Sequence, residues 1–422
     1  MLRTWGRRFD SFRGYQHGAC RQAVKTSGCD SDMRGFESHH APQQHHTYKM
    51  KHYCAMPFNH VSIGNNGDYQ ICCIHPVPVE HLQNIHTHSL IEWRDNSYLA
   101  DVRQTFLQNH QHPGCKRCWY QEHQGLDSMR IVQQKEFQIL GAKPSNSKLL
   151  HVEVAIGNLC NLSCLMCNEY NSSAILSENR KLGISLLKQS DFVWSEKALA
   201  NLENILNQCP RVLHLRGGEP LYNKQILELI TNFPQEKLRN TLLQVTTNAT
   251  VWNTQWQTAL SKFRAVRMML SVDAVGSLGE YIRYPSKFAE VEQNILKIKQ
   301  CANVNAVVHA TVQNLNVLYL GDLIKWCTDM DLHVMLDTLV EPQHLQCTNL
   351  PTDLKLQAIA SLQNILDKKP TESIGSAVLA IKTAMQQSLS QPFDSAKWQQ
   401  FIDKIQIRDT ARGNSHREFL LY

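Results

Sequence analysis

From residue 148 onward, short apolar and β-prone runs alternate with longer segments whose apolar residues recur every three to four positions. The first kind predicts strands at about 151–156, 212–217, 242–247, 266–273, 306–313 and 333–339. The second predicts helices that include 225–232, 288–299 and 318–329. Strand-helix repetition of this length builds a parallel sheet through right-handed crossovers. The expected fold is therefore α/β, a partial (β/α)6 TIM-like barrel, with a doubly wound open sheet as the alternative. Both architectures gather chemistry at the C-terminal ends of the strands.

The flanks read differently. Residues 1–49 are rich in Arg, Gly, Ser, Gln and His and have no sustained period, so a disordered or non-native extension is expected there. Between Cys54 and Cys118 lies a cysteine-rich module. Two short β-prone runs flank Asn65-Asn66-Gly67-Asp68, a hairpin signal that brings Cys54 toward Cys72 and Cys73. A helical stretch at 91–109 then leads to the C-x2-C knuckle Cys115-Lys116-Arg117-Cys118. Residues 350–422 read as two or three polar helices. The resulting division is 1–49 extension, 50–147 cysteine module, 148–340 barrel and 341–422 helical tail.

Composition narrows the classes. At 422 residues and 42% hydrophobic the chain can bury a sizeable core. No apolar run approaches the ~18 residues of a membrane span, so a soluble, cytoplasmic protein is expected. Fourteen cysteines in a reducing compartment point to metal or redox chemistry where they cluster. The net charge of +6 is mostly local, because residues 1–49 carry +4 and the remainder only +2. That near balance gives no reason to expect a nucleic-acid surface. Cys20, Cys29, Cys209, Cys301, Cys327 and Cys347 lack paired spacing and read as structural or incidental, and His75, His81, His86 and His88 as surface residues.

The chemistry concentrates at four consecutive strand ends. The first runs into Cys160-x3-Cys164-x2-Cys167, the second into Arg216-Gly217-Gly218-Glu219-Pro220, the third into Thr246-Thr247-Asn248 and the fourth into Ser271-Val272-Asp273. Three thiolates suit a 4Fe-4S cluster with one iron left to bind something else, for instance the amine and carboxylate of a small molecule. Close backbone approach at Gly217-Gly218 would serve such a ligand, with Glu219 or nearby carbonyls accepting from its amine. The four thiolates available from Cys54, Cys72 or Cys73, Cys115 and Cys118 fit structural zinc as well as iron-sulfur.

These residues together resemble the radical SAM superfamily. Cys160, Cys164 and Cys167 match its cluster loop, and Gly217-Gly218-Glu219-Pro220 its motif for the methionine amine of S-adenosylmethionine. Ser271 and Asp273 resemble its ribose contacts, Asn248 falls at the intervening strand end, and Arg283 in Tyr281-Ile282-Arg283-Tyr284-Pro285 resembles a carboxylate partner. Met166 stands where the family often has an aromatic residue against the adenine. The resemblance covers about residues 150–340. Cys54-x12-Gly67-x4-Cys72 followed by Cys115-x2-Cys118 is similar to the auxiliary-cluster signature of SPASM and twitch domains and selects Cys72 over Cys73. Gln124 stands where a full SPASM domain has another cysteine, which favours the shorter twitch type.

The resemblance implies reductive cleavage of S-adenosylmethionine to a 5′-deoxyadenosyl radical that abstracts hydrogen from a peptide or small metabolite. It also implies one auxiliary iron-sulfur cluster and a one-electron donor such as flavodoxin or ferredoxin. The competing readings are a zinc- or iron-sulfur-binding scaffold and an electron-transfer protein. For the extension, either Met50 is the native start or the preceding segment is dispensable; the first version is directly checkable. N-terminal mass analysis of natively expressed protein should find residue 50 first, and intact residues 1–49 would contradict it.

Overall fold

The computed structural model describes residues 51–123, 127–142, 148–187 and 192–420. The expectations for residues 1–49, Met50 and Gln124 lie outside these. Eight strands form one sheet: β1 (His60–Ile63), β2 (Tyr69–Gln70), β3 (His151–Ala155), β4 (Val212–Arg216), β5 (Leu242–Thr247), β6 (Ala265–Leu270), β7 (Val304–Val312) and β8 (His333–Thr338). The order is β2-β1-β3-β4-β5-β6-β7-β8. Only β1 and β2 pair antiparallel, around the expected turn, where Gly67 adopts φ +88°. From β3 onward the strand order never reverses. That is single winding, whereas a doubly wound sheet has a switch point.

The hairpin is not set apart from the sheet. β1 pairs in parallel with β3, Ser62 opposite Glu153, so the cysteine-rich module extends the sheet that carries the cysteine loop. The helical stretch at 91–109 is two helices, Leu90–Arg94 and Ser97–Leu107. Ser89 and Glu92 form a capping box at the first, and the Asn96 side chain accepts from the Tyr98 amide at the second. Asp95-Asn96 breaks the run because short polar side chains compete for the backbone and favour caps over helix interiors.

Within the parallel strands the two faces differ. Val152, Val154, Leu213, Leu215, Leu243, Val245, Val266, Met268, Val308 and Ala310 are all at most 2% exposed. Intervening helices such as Lys224–Asn232, Phe288–Lys299 and Leu320–Asp329 bury Ile226, Ile230, Ile295, Ile298 and Leu323. On the opposite face the pairing register sets Ser62, Glu153, His214, Gln244, Arg267 and Asn305 side by side across six strands. Parallel sheets covered by helices on both faces are apolar throughout. This period-2 alternation leaves one half-buried polar face instead.

The C-terminal region forms three helices, Thr352–Asp367, Glu372–Leu389 and Ser395–Arg412, the last closed by Gly413 in the left-handed region. Phe401, on the last helix, is fully buried. No helix among the described residues is long and apolar enough to cross a membrane. Because Phe401 docks that helix, Phe401→Ala should destabilise the protein by about 3–5 kcal/mol, read from urea unfolding. A loss under about 1 kcal/mol would show that the helix docks by other means.

Candidate active site

The cysteine loop leaves β3 through Gly157, whose φ is +66° and whose added Cβ would lie 2.4 Å from the Phe192 carbonyl oxygen. Two neighbouring segments hold it. Ser172 Oγ donates to the Leu162 carbonyl at 2.7 Å, and the Cys160 amide donates to Ser173 Oγ at 3.1 Å. The Ser163 and Leu165 amides donate to the Tyr284 and Ile282 carbonyls at 2.6 and 2.9 Å, which brings Arg283 against the loop. The loop is thus stitched on both sides of Cys164. Burial pushes Cys160 and Cys167 up to about 12, with the charge of Cys164 adding to both, while burial raises Cys164 against the opposing charge of Arg283. Such buried thiols ionise against a bound cation rather than in the empty protein.

The glycine-rich strand end docks directly on this loop. The Glu219 amide donates to the Leu159 carbonyl at 2.8 Å. A Cβ on Gly218 would stand 2.2 Å from that oxygen, and one on Gly217, at φ +117°, 2.9 Å from Asn65 Oδ1. Glu219 faces inward. Its carboxylate accepts from Thr247 Oγ1 and the Asn248 amide, both at 2.6 Å, and from the Leu221 amide at 3.0 Å. The carboxylate therefore clamps the ends of β4 and β5 together. Pro220 is buried beside it and opens a short 3-10 turn. Burial outweighs these hydrogen bonds and raises the Glu219 carboxyl to about 7.

Asn248, Ser271, Asp273 and Arg283 line one cavity of about 290 Å³, with Leu162 of the cysteine loop in its wall. Arg283 Nη1 lies 3.9 Å from Cys164 Sγ and Arg283 Nε 2.8 Å from Asp273 Oδ2. Asp273 is 1% exposed and also accepts from the Thr311 amide at 2.8 Å. Burial works against the Arg283 charge, but Asp273 overrides it and holds the guanidinium protonated. Asn248 Nδ2 donates to Asn161 Oδ1 at 3.1 Å, a second tie between the third strand end and the loop. Gly217, Gly218, Glu219 and Met166 do not line this cavity; Met166 packs on the core.

A second cavity, about 440 Å³, is lined by Cys54, Cys72, Cys115 and Cys118, with Arg117 and Arg130 in its wall. Cys73 is exposed and outside that lining. Arg130 is paired with Glu122 at 2.5 Å and lies over the Trp119 ring. Among the described residues no three cysteine sulfurs come within 4.8 Å of one another. His75, expected at the surface, is buried and lines this cavity.

Sequence reasoning read the last helix as part of a polar tail and missed its contact with the cysteine loop. Arg412 Nη2 donates to the Ser163 carbonyl at 2.7 Å, inside the cysteine loop, and the guanidinium lies over the Tyr284 ring. Arg412 and Arg408 both pair with Glu178, on the helix that follows the loop. The polar sheet face was missed too. There Glu153 accepts from Ser62 Oγ at 3.0 Å and Arg216 Nε at 2.5 Å, and His214 Nε2 meets Thr246 Oγ1 at 2.9 Å. Burial opposes the Glu153 charge, yet His214 and Arg216 hold its carboxyl well below the usual range.

No family model matches the chain. An uncharacterized protein of Methanocaldococcus jannaschii is 23% identical over 198 residues, 46% of this chain and 63% of the relative. A probable GTP 3′,8-cyclase of the same organism is 23% identical over 186 residues, 42% of this chain and 55% of the relative. The matched region thus spans between half and two thirds of these relatives. Among solved structures, anSMEcpe with bound AdoMet matches at a TM-score of 0.37 and 19% identity, over 50% of this chain and 57% of that one. What likens the chain to radical SAM enzymes is its motifs, Cys160-x3-Cys164-x2-Cys167 and Gly217-Gly218-Glu219-Pro220.

Two outcomes follow from this geometry. Gly218→Ala forces the Leu159 carbonyl away and should cost about 1–3 kcal/mol in urea unfolding; a neutral effect would show that the close docking is not needed. For Glu219, the unfolded carboxyl titrates near 4.5 and the folded one near 7. Between those values the folded state binds more protons, so stability should fall as pH rises, by up to about 3 kcal/mol from this group. Glu219→Gln should flatten the slope of stability against pH in that window, and an unchanged slope would refute the assignment.

Proposed function

We propose that this chain is a radical SAM enzyme in which Cys160, Cys164 and Cys167 hold a 4Fe-4S cluster with one open iron. The observation that carries this reading is the Arg283 cavity. Candidate cofactor residues from three segments, Asn248, Ser271 with Asp273, and Arg283, share one space bounded by the cysteine loop. In this reading the sheet from β3 to β8 is a partial (β/α)6 barrel and the cysteine-rich segment a twitch-like module.

When bound, the cluster supplies one electron to S-adenosylmethionine and so gives access to a 5′-deoxyadenosyl radical. The chain's own residues do the rest. Arg283, fixed by Asp273, presents a permanent cation to the methionine carboxylate. Backbone carbonyls beside Gly217 and Gly218 accept from its amine, because the Glu219 carboxylate is committed to Thr247, Asn248 and Leu221. Asn248 and Ser271 take ribose hydroxyls, while Met166, packed on the core outside this cavity, is left without the adenine role that its place in the motif suggested. Buried walls exclude water from a reactive intermediate.

Cys54, Cys72, Cys115 and Cys118 would hold the auxiliary cluster, beside the cations Arg117 and Arg130, which suit an anionic group. The polar sheet face offers Gln244, Thr246, Arg267 and His309 to a peptide or small metabolite. A flavodoxin or ferredoxin in the cytoplasm would supply the electron.

Anaerobically purified full-length protein should be brown, carry about eight irons from two four-iron clusters, and form 5′-deoxyadenosine from S-adenosylmethionine under dithionite. Cys164→Ala should abolish that product. Colourless, zinc-loaded protein would instead establish the scaffold reading, and iron-loaded protein that makes no 5′-deoxyadenosine would establish electron transfer alone.

A further inference from the structure

We propose that His75, His112 and Cys115 form a binding site for a single divalent transition-metal ion of the zinc class. Their ligand atoms all lie within 4.8 Å of one another, the only such group among the described residues, and both histidines are buried. An ion bonded at ~2.0–2.3 Å holds its ligand atoms about 3.3–3.8 Å apart, and His75 Nδ1 already stands 3.4 Å from Cys115 Sγ. Two imidazoles with one thiolate is a donor set of intermediate softness, suited to zinc, ferrous iron or cobalt rather than magnesium or calcium.

The surroundings of both rings are those of ligands. His75 Nε2 lies 2.9 Å from the Tyr98 hydroxyl, whose own proton is directed to the Pro76 carbonyl at 3.4 Å. The hydroxyl therefore accepts from Nε2–H, which leaves the Nδ1 lone pair toward Cys115. His112 Nε2 faces Asp101 Oδ2 at 3.5 Å. Tyr98 and Asp101 are one turn apart on the helix Ser97–Leu107, so one helix face orients both imidazoles. An outer acceptor on the far nitrogen is the usual arrangement for a metal-binding histidine. His112 Nδ1 accepts the Gly114 amide at 3.1 Å, and that bond would be exchanged for the ion. Gly114 makes the approach possible, since a Cβ there would lie 2.5 Å from His75 Cε1.

Cys115 also lines the four-cysteine cavity, so a single ion and the auxiliary cluster exclude one another. That exclusivity rests on the auxiliary-cluster reading; the ion site itself does not. The nascent protein thus has two outcomes at this cavity, set by whether cluster assembly or a free divalent ion reaches Cys115 first.

Cobalt(II) titrated anaerobically into iron-free, full-length protein tests the site. One Co²⁺ should bind with a thiolate charge-transfer band, and His75→Gln should weaken binding by about 10- to 100-fold. Gly114→Ala, which removes no ligand, should weaken it too, and Cys54→Ser should leave it within about threefold. Thermal melting of each variant separates lost binding from lost fold. Wild-type affinity in both His75→Gln and Gly114→Ala, or a loss in Cys54→Ser as large as in His75→Gln, would overturn the proposal. Cobalt-loaded wild type should then take up only about half the iron of His75→Gln on reconstitution. If Cys54→Ser leaves iron content unchanged while the cobalt results hold, it is the auxiliary-cluster reading that has failed.

Discussion

The contact on which the site depends is backbone against backbone: the Glu219 amide on the Leu159 carbonyl, with no room at Gly218 for a side chain. It locks the end of β4 to the cysteine loop at van der Waals distance. Glu219 then transmits that fixation to β5 through Thr247 and Asn248, and Asn248 returns it to the loop through Asn161. The ends of β4 and β5 and the loop therefore form one closed circuit of hydrogen bonds. A loop held this way presents its thiols in a fixed geometry, which is what a preorganised metal site needs.

Charge is arranged around that frame with little slack. Asp273 is fully buried, and its negative charge is answered by Arg283, which in turn faces the Cys164 sulfur. Arg412 reaches the same loop from the far end of the chain and is answered by Glu178. Burying any one of these without its partner would be strongly unfavourable. The same logic governs the sheet's polar face, where Glu153 is compensated by Arg216 and His214. Such a face is stable in a half-buried space because each charge has a partner.

Much of this was legible in the chain itself, and the division follows sequence distance. The cysteine spacing, the glycine pair before Glu219 and the Asn-Gly hairpin are local patterns, and the six parallel strands announce themselves by apolar runs between turn residues. The polar row from Ser62 to Asn305 becomes visible only when strand register is known, because each strand contributes one or two residues to it. Arg412 acts on Ser163 across 249 positions, in a tail whose polar helices carry no motif. His75 looked like one irregular histidine among several; its burial depends on Gly114 and Tyr98. Glu219 was legible as a member of a motif but not in the direction its carboxylate takes. Polar donors from the next strand decide that.

The central claim is that the cysteine loop holds a four-iron cluster whose open iron meets S-adenosylmethionine in the Arg283 cavity. Electron paramagnetic resonance of the reduced, anaerobic full-length protein titrated with S-adenosylmethionine tests it most directly. The account predicts that the spectrum of the loop's cluster changes on addition, to saturation, and that Cys164→Ala abolishes this response. A spectrum that stays the same at saturating S-adenosylmethionine would contradict it.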